Sequence, residues 1–262
     1  MPLPPEHVLS AFHAETGATG SRRAQGDQLG PVWDNGIKVG DVVYSQAGPF
    51  AAWSAKVREK LSVPGARVSR PVLASDGRHT AAGWKATQFL PGEVTGRIDE
   101  AAQTALRLDD AMANAPAPPG AHRDDAFARA ERTAWAETGE AYDKAALADV
   151  PLVTAHTALL TTTVFYGAHP PGIVDLVPSQ SARPAGWSAA LVIVDGLIAQ
   201  VVDDDICQRF GHVPGMQELL LRAVSYRRHI NDLNPRSRSN VRSNIERVEQ
   251  FLVSRASAIL GR

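Results

Sequence analysis

Apolar positions along the chain follow two periods, and the dominant one changes near Leu90-Pro91-Gly92. Before that point short β-prone runs alternate with helical ones. In "PPEHVLSAFHAE", residues 4–15, Val8, Leu9 and Phe12 share a helical face, and the glycine-rich polar stretch "TGATGSRRAQGDQLG" ends the pattern. "IKVGDVVY" sets two β-prone triplets on either side of Gly40-Asp41, which predicts a tight hairpin. "AAWSAKVREKL" returns to helical spacing through Trp53, Val57 and Leu61 and stops at Pro64-Gly65. A second hairpin is predicted in "RVSRPVLASDGRHTAAGWKATQFLPG", turning at Asp76-Gly77, with Pro71 suited to an edge strand because it cannot donate to a ladder.

Beyond Gly92 the period is helical. "IDEAAQTALRLDDAMAN" carries Asp99 near its start and stops in "APAPPG", and "DDAFARAERTAWAE" sets Phe127, Ala130 and Ala134 on one face. β-prone sequence returns once, as "TTTVFY", a turn through "GAHPPG", and "IVDLV". Three further helices are predicted over roughly 187–202, 214–231 and 238–260. No internal repeat is present, and "APAPPGAHRDD" is a linker. A small β-rich lobe with one helix, a tether, and a helical lobe with one embedded hairpin is the two-lobed arrangement of protein-kinase-like folds, an α+β class. On this reading an N-lobe covers 1–92 and a larger helical C-lobe 93–262, with the hairpin at 162–177.

Composition narrows the classes. At 262 residues with 44% hydrophobic content, the chain can bury a substantial core. Its 27 basic and 28 acidic residues give a net charge of −1, so no global field draws it to nucleic acid or an anionic membrane. The longest apolar stretch, "WSAALVIVDGLIAQVV", is shorter than the roughly 20 residues of a membrane span. The amino terminus lacks a secretion-signal pattern, and the single Cys207 has no internal disulfide partner, so the expected setting is the cytoplasm.

Three segments, "RVSRPVLASDGRHTAAGWKATQFLPG", "IVDLVP" and "RPAGWSAALVIVDGL", together with the layout of residues 152–178, resemble an actinobacterial branch of the aminoglycoside-phosphotransferase and choline-kinase superfamily over nearly the whole chain. The resemblance implies transfer of a nucleotide γ-phosphoryl to a hydroxyl, using ATP and magnesium, by cations that neutralise phosphate, carboxylates that hold the metal and a base beside the acceptor. It also shows what is missing. The third-strand lysine position falls on Ser45 in "VVYSQ", and a slip of one residue would put Gln46 there, equally uncharged. In the loop aligned on His156, Ala158 stands at the catalytic base and Thr162 at the metal-binding asparagine. The second metal-binding aspartate has a counterpart in Asp175. His156 and Asp195, the latter in "IVDGL", match residues that hold the catalytic loop structurally. Lys38 and Lys56 are the candidates for a substitute cation, and Glu59 lies on the helix that normally offers the lysine its partner.

Each candidate has a plainer alternative. Asp175 serves as a magnesium ligand, a polar strand terminus, or a partner for an arginine such as Arg183. Asp203, Asp204 and Asp205 suggest metal but, being consecutive, point in different directions, which favours a solvated helix terminus. "GDQLGPVWDNG" offers backbone N–H groups to phosphate without the dense glycine pattern of kinases. Thr161, Thr162 and Thr163 are ligand donors or simply β-prone. Trp135, Tyr142 and Trp187 read as packing residues. Arg222, Arg227, Arg228, Arg236, Arg238, Arg242 and Arg247 form the one concentration of charge, diluted by Asp232, Glu246 and Glu249. Three functions follow: a pseudokinase acting by binding a nucleotide, a small metabolite or a protein; an active small-molecule phosphotransferase with an atypical site; or an interaction module built on the arginine-rich carboxyl-terminal helices.

Overall fold

A computed structural model describes residues 4–13, 26–120, 123–235 and 238–260. The polar stretch 16–25, the end of the helix expected over 4–15, part of the 115–125 linker and Arg236 lie outside the described residues. In chain order the elements are α1 (Glu6–Ala11), β1 (Asp27–Gln28), β2 (Ile37–Val39), β3 (Val42–Gln46), α2 (Ala51–Lys60), β4 (Arg67–Val68), β5 (Pro71–Val72), β6 (Thr80–Ala81), β7 (Trp84–Gln88), α3 (Ile98–Ala111), α4 (Ala126–Ala136), β8 (Leu152–Val153), β9 (Thr163–Val164), β10 (Gly172–Ile173), β11 (Arg183–Pro184), α5 (Trp187–Ile198), α6 (Ile206–Arg209), α7 (Met216–Asp232) and α8 (Ser239–Leu260). Contacts divide the chain into two compact units, residues 1–95 with 161–177, and residues 96–160 with 178–262. The 162–177 hairpin thus packs with the sheet-bearing unit rather than within the helical one.

In the first unit, an antiparallel sheet runs β1-β2-β3-β7-β5, with β6 also on β7. The β2–β3 hairpin turns at Gly40-Asp41 as expected, with Val39 opposite Val42. The second hairpin differs. Asp76-Gly77 makes only a local turn, with Gly77 N donating to Ala74 O, and the β6–β7 connection turns at Ala82-Gly83, whose φ angles of 50° and 77° suit a tight two-residue turn. Pro71 lies in β5, at the sheet edge. Alternation along the strands gives the sheet two different faces. Tyr44, Trp84 and Ala86 pack with Val8, Leu9 and Phe12 of the α1 segment on one. Ser45, Lys85 and Thr87 belong to the other. β10 pairs antiparallel with β9 and parallel with β4, where Arg67 N donates to Pro171 O and Ser69 N to Ile173 O.

The second unit is a helical assembly around α5. From Trp187 to Leu197 this helix is buried at every position except Asp195, as an all-round apolar sequence requires. It packs on α3 at close range, because a Cβ on Gly196 would meet Ile98 side-chain atoms at 2.8 Å. α7 packs against α4, α5 and α8. The three expected carboxyl-terminal helices are present, with the short α6 added between the first two. In α4, Ala128, Ala130, Glu131 and Ala134 face inward, whereas Phe127 is exposed. Among the described residues no helix is long and apolar enough to cross a membrane.

Candidate functional site

The polar face of the first unit's sheet is where chemistry collects. Antiparallel register puts Lys85 of β7 directly opposite Ser45 of β3, so their side chains share a face. Ser45 is buried and uncharged, and the cation it lacks is supplied from the neighbouring strand. Lys85 Nζ donates to Asp175 Oδ2 and lies 2.7 Å from Asp34 Oδ2. Neither Lys38 nor Lys56 takes this place: Lys38 Nζ sits 5.0 Å from the Phe89 ring centroid, and Lys56 is exposed.

Helix α2 presents Ser54 and Arg58 to the same carboxylate. These residues are one turn apart, so both lie on one helical face. Ser54 Oγ donates to Asp175 Oδ1 at 2.5 Å, and Arg58 Nη2 lies 3.6 Å from that oxygen. Arg58 also donates to Ser54 Oγ, Ser69 O and Thr87 Oγ1 and is only 1% exposed. The neighbouring Glu59 faces away, 3.6 Å from His79 Nε2. The Leu176 amide donates to both Asp175 Oδ1 and Ser54 Oγ, which fixes the carboxylate's orientation. Burial alone would raise the Asp175 carboxyl; the charges of Lys85 and Arg58 and the hydrogen bonds from Lys85 and Ser54 overcome it and hold the group at about 2. Burial opposes the charge on Lys85 too, yet Asp175 and Asp34 raise its pKa.

Asp34 comes from the loop between β1 and β2, the segment read as "GDQLGPVWDNG". This loop is compact: Trp33 N and Asn35 N donate to Gly30 O, Leu29 N donates to Gly36 O, and the Gln28 amide reaches the Leu29, Asn35 and Gly36 carbonyls. Asp34 and Asn35 both adopt φ of 53°, a left-handed conformation that these two residue types tolerate best among non-glycines. Gly36 is required for its size, since a Cβ there would fall 2.7 Å from Tyr44 O and 2.9 Å from Trp33 O. A cavity of about 250 Å³ opens beside the ion cluster, lined by Asp34, Lys85, Asp175, Gln46 and Phe50 among others.

The second unit holds the loop aligned on His156. The His156 amide donates to Ser188 Oγ at 2.8 Å, Ser188 donates to Asp109 Oδ1 at 2.5 Å, and Asp109 Oδ2 accepts from the Gly186 amide at 2.8 Å. His156 is buried, and its Nδ1 accepts from the Ala158 amide. Asp195 grips Arg227 with both oxygens, at 2.6 and 2.7 Å, and Arg227 passes the contact to the Thr157 carbonyl. Side-chain support from α5 thus reaches the loop directly through Ser188 and by way of Arg227 from Asp195. Burial pushes the Asp109 carboxyl up to about 7 against these hydrogen bonds.

The sequence matches no family model and no curated protein. Among solved structures, the crystal structure of aminoglycoside phosphotransferase from Alicyclobacillus acidocaldarius is similar over 100% of this chain and 97% of that one, at 12% identity and a TM-score of 0.56. The chain has the aminoglycoside-phosphotransferase fold.

Within that fold, Ser45, Thr162 and Asp175 fall in the sheet-bearing unit and His156, Ala158 and Asp195 in the helical one. Thr162 and Asp175 are neighbours through the hairpin, with Val174 N donating to Thr162 O. The resemblance implies magnesium at Asp175, and the arrangement does not fit it. A divalent ion needs hard oxygen donors clear of other cations. Both Asp175 oxygens are already engaged, beside two protein cations. No group of three or more His, Cys, Asp or Glu among the described residues could hold a metal, the 203–205 aspartates included. Two of those aspartates meet arginines instead, Asp203 with Arg209 and Asp204 with Arg247. Arg183 pairs with Glu131, not with Asp175.

The carboxyl-terminal arginines are largely consumed inside the helical unit. Arg222 is buried against Glu218, Arg227 holds Asp195, and Arg228 bridges Glu137 and Glu249. Arg242 lies 3.7 Å from Asp232, and Arg238 is exposed. Trp135, Trp187 and Tyr142 pack as expected: the two indoles meet edge to face at 5.2 Å, and the Arg222 guanidinium covers Tyr142 at 4.2 Å.

Proposed function

We propose that this protein keeps a phosphotransferase fold and acts by binding, with phosphoryl transfer reduced to background. One observation carries the reading: the carboxylate expected to hold magnesium is the counterion of Lys85 and Arg58 and the acceptor of Ser54, all from its own unit. Ala158 at the base position points the same way, since a general base contributes about 10²–10⁴-fold to rate. The ligand is then a nucleotide, a small metabolite or a protein partner, met in the reducing cytoplasm that a single buried cysteine suits.

A second reading is favoured by Lys85 itself, whose position opposite Ser45 supplies the cation that an active transferase needs. The two diverge in one experiment: calorimetric titration with ATP, with and without magnesium, beside an assay of ATP consumption on a panel of small hydroxyl acceptors, using wild type and Asp175→Ala. The binding reading expects no acceptor-dependent consumption from either protein. Magnesium-dependent turnover in the wild type, abolished in Asp175→Ala, overturns it and establishes the atypical transferase.

A further inference from the structure

Asp34 and Asp175 reach the sheet's polar face from separate loops, and one nitrogen atom lies between them. Lys85 Nζ contacts Oδ2 of both. That is the coordination role of a hard cation bridging two carboxylates, performed by an ammonium whose residue is only 8% exposed. With Arg58 behind it, the cluster carries two positive and two negative charges.

We propose that Lys85 is a tethered substitute for a divalent cation. Its ammonium occupies the position between Asp34 and Asp175, neutralises both, and pins the β1–β2 loop to the β9–β10 hairpin. The inference rests on the binding reading above and defines its ligand chemistry: the adjoining cavity takes its ligand without magnesium or manganese. A second cation of charge two would meet Lys85 and Arg58 at close range, with both carboxylates already compensated. Lys85 has three donor hydrogens and two carboxylate partners, so one donor is left for an acceptor atom of a ligand, such as a carbonyl, hydroxyl or anionic oxygen.

Removing the tethered cation should expose the site it fills. In Lys85→Ala, two carboxylates face one vacated position, and manganese has what it commonly needs, one or two carboxylates completed by water. Titration of manganese chloride, followed by the loss of the free-ion electron paramagnetic resonance signal, is expected to show no saturable uptake by the wild type and one ion per chain in Lys85→Ala. Uptake should vanish again when Asp34→Asn is added. Lys85→Gln, closer in length to the native side chain, repeats the test if the alanine variant is poorly folded by circular dichroism. Saturable uptake by the wild type that is lost in Asp175→Asn overturns the proposal, and so does a folded Lys85 variant that takes up none. The wild-type arm does not depend on any Lys85 variant folding. Failure of the function reading looks different: it is acceptor-dependent ATP consumption, whereas failure here is metal binding.

Discussion

Asp175→Ala removes the counterion of two buried cations, and its effect on stability separates a structural carboxylate from one held in reserve for a ligand. Lys85 and Arg58 are 8% and 1% exposed, so neither recovers solvation when its partner goes. Breaking a buried pair by removing one member costs about 3–5 kcal/mol. Asp34 continues to serve Lys85, and Arg58 retains Ser69 O and Thr87 Oγ1, which places the loss near the lower end, about 3 kcal/mol. At roughly 2–4 °C per kcal/mol for a domain of this size, the melting midpoint should fall by about 6–12 °C at pH 7. The sign with pH follows from the direction of the shift. The folded Asp175 carboxyl sits at about 2, below the ordinary aspartate value of 3.8. Its contribution is therefore complete above the unfolded value and disappears as pH falls from there through the folded one. Thermal unfolding followed by circular dichroism at several pH values should show wild type and variant converging in acid. Replacing the pair together, Lys85→Met with Asp175→Leu, removes the stranded ammonium and should recover only the part of the loss that Lys85 causes, because Arg58 stays buried without its carboxylate. An Asp175→Ala protein as stable as the wild type at pH 7 would refute the reasoning and return Asp175 to the role of an available ligand.

Four further outcomes can be measured. Asp109→Ala leaves the Gly186 N–H and Ser188 hydroxyl without their buried acceptor and should cost about 1–3 kcal/mol in urea unfolding, with faster hydrogen exchange at the His156 amide. Because burial lifts the Asp109 carboxyl to about 7, its contribution is present below the unfolded value and lost as pH rises through the folded one; Asp109→Asn should remove that part of the slope from the stability profile. Gly36→Ala drives a methyl into two backbone carbonyls and should destabilise by about 1–3 kcal/mol, read as a lower midpoint with unchanged urea dependence. Glu137→Gln weakens the charged acceptor shared by Tyr142, Ser225, Arg228 and His229 and should cost about 1.5–3 kcal/mol by the same measurement.

Helical periods gave the long helices of the second unit closely, because each must turn an apolar stripe inward, and the β2–β3 hairpin was legible from its turn residues. Lys85 was not. Within "GWKATQF" it alternates with Trp84 and Ala86 as any solvent-facing strand residue would, and nothing local reveals that α2 covers that face or that Asp175 arrives there from far along the chain. Arg58 was hidden for a related reason: a long basic side chain at a helix end usually reaches solvent, whereas here its neighbour Glu59 does. Asp109 and Ser188 escaped notice because a hydroxyl and a carboxylate 79 positions apart leave no spacing signal. The β6–β7 turn shifted from Asp76-Gly77 to Ala82-Gly83 because strand register on β7, rather than the commoner turn dipeptide, decides where the chain reverses.

The sheet-bearing unit is assembled from two stretches of chain, 1–95 and 161–177, joined by the parallel pairing of β4 with β10. During synthesis, at about 5–20 residues per second, the first stretch waits several seconds for the second to leave the ribosome. Until then Arg58 has no carboxylate within its unit at Asp175's place, β4 has an unpaired edge, and Lys85 relies on Asp34 alone. The nascent amino-terminal stretch is therefore an incomplete folding unit, and its completion is tied to the arrival of Asp175.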